Sequence, residues 1–232
     1  MSKRLVYIPL GRLFFILLSA LLGVIVVVSL LFGIDTAFSR LGFGRGGTAI
    51  ILVSSLLGSS VNIPIGKLET RLPTISVAYV KVFGIIYPVP TVGEEVTKTV
   101  VAVNLGGAII PLIVSLYILT LHPTLIFPSL MALVAVAFLV YLIARPIVGV
   151  GIVTPFFIPP MIAALTAIMI TEGFYPSTAA VAYIAGTLGT LIGADILKLK
   201  VIPRLGAPVA SIGGAGAFDG IFLTGIIAVL LV

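Results

Sequence analysis

Residues 213–232 read GGAGAFDGIFLTGIIAVLLV. From Ile221 to Val232 the stretch is fit for hydrocarbon, yet Asp219 places a carboxylate among glycines in a chain with only 7 acidic residues. Whether this stretch lies in a membrane decides the fold, and composition settles the matter. Hydrophobic residues make up 60% of the 232 and charged ones 9%, where soluble domains carry roughly a quarter charged. Mean hydropathy is +1.37. A water-soluble core of this size cannot hide so much apolar surface. The chain reads as an all-α, polytopic membrane protein, a single integral-membrane domain over 1–232.

Working back from that stretch, further apolar runs follow at the length of a bilayer span, roughly 20 residues. The candidates are about 13–33, 46–61, 102–120, 125–143, 147–170, 177–199 and 206–232. About seven transmembrane helices are expected. Pro155, Pro159 and Pro160 predict a break in the fifth. The Gly-rich start of the seventh predicts unwound or re-entrant backbone, which a bilayer permits only under cover of protein or water. The basic start followed by a long apolar run reads as an uncleaved first span. With the N-terminus cytoplasmic, every Lys and Arg except Arg40 and Arg45 falls on the cytoplasmic side, and the C-terminus falls outside. Such an asymmetry also accounts for the net charge of +6. The expectation is therefore a multi-pass protein of the cell membrane, partnered by the lipid bilayer and not by nucleic acid.

Between the second and third spans lies a cytoplasmic insert, 62–101. Its centre, SVAYVKVFGIIYPVP (76–90), alternates in places and is rich in Val, Ile and Tyr. That pattern predicts a small strand or β-hairpin. Such a strand offers an edge to an extended peptide, or serves structure alone.

The chemistry that remains is narrow. Cysteine is absent and His122 is the only histidine, which excludes disulfides, thiolate sites and the two-histidine zinc motif. No metal site or cofactor is expected. Acids inside a bilayer are expensive and so are functional candidates. Asp35, Glu69, Glu94, Glu95 and Glu172 fall in loops or interfaces. Asp195, in TLIGADILKLK, lies near the cytoplasmic end of the sixth span, and Asp219 lies inside the seventh. An antiparallel pair of spans brings the two to one depth. Carboxylates sharing a site cannot both ionise readily, which is the aspartic-protease arrangement. The plainer readings make Asp219 a helix N-cap and pair Asp195 with Lys198. Around them, Pro208, Gly213, Gly214 and Gly216 leave room for a substrate backbone. Asn104 in VNLGGAIIP and Asn62 in VNIPIG sit beside bends, as site members or polar helix contacts. The sixth and seventh spans are expected to pack through Gly189, Gly193, Gly213 and Gly216.

The run GTLGTLIGADILKL, continued by LGAPVASIGGAGAFDGIFLTGIIAVLL and preceded by VAVNLGGAIIP, resembles an uncharacterised prokaryotic multi-pass membrane family, a domain of unknown function. That resemblance runs from about Asn62 onward and implies no activity. In setting, Asp195 followed by ILKL and Asp219 followed by GIF also resemble the presenilin and signal-peptide-peptidase group of intramembrane aspartyl proteases. The second resemblance implies that Asp195 and Asp219 form a catalytic pair acting on a membrane-protein or peptide substrate. The expected function is thus an intramembrane aspartyl protease. The alternatives are an ion-coupled transporter or channel with an acidic intramembrane site, and a structural membrane protein. Assembly into a homo-oligomer is left open.

Overall fold

A computed structural model describes residues 10–83, 85–148, 151–173, 177–205, 208–214 and 220–232. Among these residues the chain forms seven α-helices: α1 (Leu10–Arg40), α2 (Arg45–Gly58), α3 (Ile110–Leu121), α4 (Ile126–Ile143), α5 (Ile158–Thr171), α6 (Ser177–Thr190) and α7 (Gly220–Leu230). Among the described residues, three helical stretches are long and apolar enough to cross a membrane unaided: Leu18–Arg40, Pro123–Ile143 and Ser177–Ile196. The remaining four helices are apolar but shorter than a full span. The physical reason lies at the ends of the apolar runs, which go into other structure. Residues before Leu105 complete strand β2 (Ile85–Asn104), and β3 (Arg145–Ile147) pairs with β4 (Gly151–Val153) where the fifth span was expected to start. Strand β5 (Val209–Ile212) takes up the Gly-rich approach to α7. The break expected at Pro159 and Pro160 is present as the first turn of α5, where proline's missing N–H has no partner to lose.

The 62–101 insert holds a hairpin, and its strands are long. Strand β1 (Asn62–Val82) pairs antiparallel with β2 along its whole length, from Asn62 opposite Asn104 to Val82 opposite Ile85. At about 3.3 Å per residue such a ribbon is about 65 Å long. Phe83, in the turn, has φ 50, the left-handed backbone that two-residue hairpin loops require. At the base, β5 adds to β2 in parallel, Val100 to Val103 facing Val209 to Ile212, so the sheet runs β1-β2-β5.

Helix α6 is the axis of the bundle. In the most apolar window of Ser177–Ile196, 83% of residues are buried, against 28% for Pro123–Ile143 and 6% for Leu18–Arg40. One face of α6, with Ala179, Tyr183 and Ile184, packs on the end of α1, on α3 and on α7. The other face, with Val181, Ala182 and Ala185, packs on α4 and α5 through alanines and valines. Helix α1 runs past residue 33 to Arg40, so Asp35 is helical and not in a loop. It joins the core through Ile34, Ala37 and Phe38, while Arg40 Nη1 donates to the Val229 carbonyl at 3.0 Å.

The glycines distribute differently from expectation. A Cβ on Gly189 would lie 2.8 Å from Val136 Cγ1, and one on Gly193 3.0 Å from Val140 Cβ, so both face α4. The contact between α6 and α7 is made instead where Gly186 meets Gly225 and Ala228. Gly213 lies against Gly107 and Ala108. Gly216 is outside the described residues. Helical spacing predicted that α6 would carry close-packing glycines, but not which neighbour each would meet.

Candidate functional site

The site begins where α6 stops being an α-helix. After Thr190 the chain widens into a π-helical turn, Leu191–Ile196, closed by Leu197 N donating to the Ile192 carbonyl at 2.9 Å. In an α-helix, residues five apart point about 140° away from one another. Bonding from i to i+5 brings them to one side instead. Thr190 and Asp195, five apart, duly line one cavity. Gly193 makes the turn feasible by letting the backbone pass the Ala137 carbonyl of α4 without a side chain between them.

A 3-10 helix (Leu199–Leu205) and β5 then lead into a turn with Gly213 at φ 88 and Gly214 at φ 77. Side chains rarely tolerate such backbone. Asp195 Oδ2 accepts the Gly213 N–H at 2.7 Å, tying the end of α6 to this turn. Beside it the Ser211 hydroxyl is shared between Asn62 Oδ1 at 2.6 Å and the Gly214 carbonyl at 2.5 Å. Asn62 Oδ1 also receives Asn104 Nδ2 at 3.2 Å. Fully buried Asn104 donates to the Ser59 carbonyl at 2.7 Å and accepts the Gly107 N–H at 2.8 Å. It therefore caps the π-helical turn (Leu105–Ile109) that opens α3, and holds the hairpin base to the end of α2.

Together these elements enclose a cavity of about 520 Å³. Its polar wall comprises Asp195, Thr190, Thr154, Asn62 and Ser211, and its apolar wall includes Ile152, Ile212 and Ile221. Thr190 is 3% exposed and its hydroxyl has no hydrogen-bond partner among the described residues. Lys198, offered by the sequence as a partner for Asp195, holds its Nζ 4.0 Å from the centre of the Tyr141 ring.

Of the residues expected at the site, Asp195, Gly213 and Gly214 come together. Asn104 is joined to them through Asn62 and Ser211. Pro208 stands exposed at the start of β5, its carbonyl accepting the Val100 N–H at 3.0 Å. Asp219 and Gly216 lie outside the described residues. Sequence reasoning missed Thr190, Thr154 and Ser211. Thr190 was hidden because its relation to Asp195 exists only in a π-helical register. No spacing rule links Ser211 to the site before β5 docks on β2.

The paired-aspartate expectation is corrected. Aspartic-protease chemistry needs two carboxylates facing one water. Among the described residues lining the cavity, Asp195 is the one acid, and its Oδ2 accepts a backbone N–H. Nor do the described residues contain a cluster of His, Cys, Asp or Glu that could hold a metal ion. The intramembrane aspartyl protease reading, and the hydrolase chemistry with it, does not stand.

Comparison with known proteins agrees in what it offers and what it does not. No curated protein and no solved structure matches the chain, and nothing ties it to the presenilin group. A family described as "Protein of unknown function (DUF1614)" matches residues 56–231. That match spans α3 to α7, the hairpin and every described residue of the cavity wall, and the chain belongs to this family.

Proposed function

We propose that the protein is an ion-coupled transporter or channel whose acidic intramembrane site is the cavity at the end of α6. The observation that carries this reading is a polar cavity with a carboxylate at the interruption of the most buried helix. Carriers build binding sites from discontinuous helices whose freed backbone and acidic side chains meet the solute. Here the π-helical turn, the 3-10 helix and β5 replace regular helix in succession. The cavity lies in the size range of small-molecule sites, roughly 300–1,000 Å³. Asp195 supplies its carboxylate and Gly214 part of its lining, Gly213 holds Asp195 through its N–H, and Asn104 positions the adjoining wall through Asn62.

In this reading all seven helices cross or enter the bilayer, the shorter ones with the help of the strands and turns that extend them. The N-terminus, the hairpin and Lys198 to Arg204 are cytoplasmic, and Val232 is outside, which follows the distribution of Lys and Arg. The test is flux through the full-length chain in liposomes. Gradients of Na⁺, K⁺ and H⁺ are imposed in turn, and uptake is followed with ion-sensitive dyes. Flux above empty liposomes that is lost in Asp195→Asn supports the proposal. The absence of flux for every ion leaves a structural role.

A further inference from the structure

We propose that the tip of the β1–β2 hairpin is a second membrane anchor, seated in the headgroup layer of the same bilayer that holds the helices. The inference is independent of what the cavity carries. It begins with the distribution of charge along the ribbon. The facing stretches 67–73 and 94–100 hold Lys67, Glu69, Arg71, Glu94, Glu95 and Lys98. From Val77 to Val92 the one charged residue is Lys81. An antiparallel ribbon that covers a protein surface is apolar on one face and polar on the other. The tip is apolar on both. Val77, Tyr79 and Ile86 stand exposed on one face, and Ile85, Tyr87 and Val89 on the other. At the apex Phe83 is fully exposed.

Two apolar faces at one end select the occupant. Strand addition by a second copy or by a peptide would cover an edge and leave both faces bare. A flat protein surface would cover one face. The interfacial layer of a bilayer surrounds a protruding tip on every side. It also favours this composition: aromatic rings, aliphatic side chains and a cation that meets lipid phosphate. The backbone sets the depth. The outer N–H and C=O groups of a two-stranded ribbon need water, which keeps them out of the hydrocarbon centre. Val82 opposite Ile85 closes a two-residue turn, so the alternation of the ladder turns residues 88 and 90 outward. Both are proline, which removes two outward donors from the edge of β2 at the tip. The same prolines oppose pairing of that edge with another strand. The near leaflet is within reach of a ribbon about 65 Å long. A register shift between Pro64 and Gly66, near the base, marks an irregularity of the kind that bends a strand. Tethering by the bundle keeps the leaflet at high effective concentration, so a weak insertion is enough.

The chain has no tryptophan, so Phe83→Trp in the full-length protein places a single reporter at the apex. The protein is reconstituted in liposomes so dilutely that copies do not meet. The emission should be blue-shifted relative to that of Val96→Trp, an exposed position in the charged stretch. Lipids brominated near the headgroup end of the acyl chain should quench it more than lipids brominated near the terminal methyl. Adding Ile85→Asp and Ile86→Asp, one on each face, should abolish the quenching. Both positions are exposed, so Tm of the bundle should not fall. Emission like that of Val96→Trp, without quenching by brominated lipid, overturns the anchor. A blue shift that brominated lipid does not quench means that protein covers the tip, and overturns it equally. Quenching that survives both aspartates does the same, because the apolar faces would then not be what holds the tip.

Discussion

Helix α6 and the β1–β2 hairpin keep their backbones hydrogen-bonded with opposite relations to their surroundings. Around α6, small residues bring neighbouring helices to backbone contact, and even single hydrogens at Gly189, Gly193 and Gly225 are spatially required. Along the hairpin, large side chains such as Val77, Tyr79, Ile86, Tyr87 and Val92 stand exposed, and the strands depend on their own ladder. A Cβ on Gly66 of β1 would meet nothing within 4 Å. One region is held by what it excludes and the other by what it pairs with. The same substitution should therefore have very different consequences in the two.

That contrast gives the largest expected effect. Gly193→Val would drive a branched side chain into Val140 and the Ala137 carbonyl, and overpacking of this kind costs about 3 kcal/mol or more. Gly66→Val should change stability by less than about 0.5 kcal/mol, the usual scale of surface substitutions. Thermal unfolding of the two variants in detergent checks this. Equal losses would mean that the hairpin is packed as tightly as the bundle, and the comparison would fail.

At the junction of the two regions the next effect should be smaller. Asn104 ties the hairpin base to the bundle through Ser59, Asn62 and Gly107. Asn104→Ala leaves the buried Gly107 N–H and Ser59 carbonyl without these partners, at a cost of about 2–3 kcal/mol. Hydrogen exchange should quicken at Gly107 and at the base of β1 before it does in the middle of α6. Uniform quickening would argue that the hairpin and bundle unfold as one unit.

How far the sequence reveals these regions follows from the range of the forces involved. Hydrophobic run length marked the helices, the Val, Ile and Tyr alternation around Phe83 and Gly84 marked the hairpin, and Pro159 and Pro160 marked a break in the fifth apolar run. Those signals are local. The ends of the runs were misread because pairing partners are remote: Val209 to Ile212 become a strand only by docking on Val100 to Val103. At the site, Asp195 was legible as an acid too costly to be idle. Its relation to Thr190 was not, since it depends on a π-helical turn that leaves no periodic trace. The protease expectation failed at the same point, through a search for a second carboxylate. Ala194 and Phe218 stand where the protease group has tyrosine and glycine, a sequence sign against that motif.

On the far side of the bundle from the cavity, Arg40 tests a third kind of tie. Its Nη1 donates to the Val229 carbonyl at 3.0 Å and lies 3.4 Å from that of Val232, so a cation of α1 meets the carbonyl end of α7. This gives a structural use to one of the two basic residues that depart from the charge asymmetry. Arg40→Gln should lower stability by about 1 kcal/mol, the scale of a cation at a helix C-terminus, with the loss read by thermal unfolding. No change would mean that the buried contacts of Ile34, Ala37 and Phe38 hold α1 without it.

The smallest effect belongs to the hairpin alone. Glu69 and Lys98 face each other across β1 and β2, with Lys98 Nζ 2.9 Å from Glu69 Oε1 and both side chains more than half exposed. The hydrogen bond from Lys98, and then its charge, hold the Glu69 carboxyl below its ordinary 4.5. For a depressed carboxyl the sign is fixed: the contribution is fully present above 4.5 and is lost as pH falls through the lower folded-state value. The pair is solvent-screened, so the bundle should not register this loss. A carboxyl chemical-shift titration of Glu69 should show a midpoint below 4.5 that returns toward 4.5 in Lys98→Gln. Raising the salt concentration should move the wild-type midpoint in the same direction. If the bundle's thermal unfolding followed the titration, the hairpin ladder and the close-packed helices would be one cooperative structure, and the distinction between the two regions would have to be abandoned.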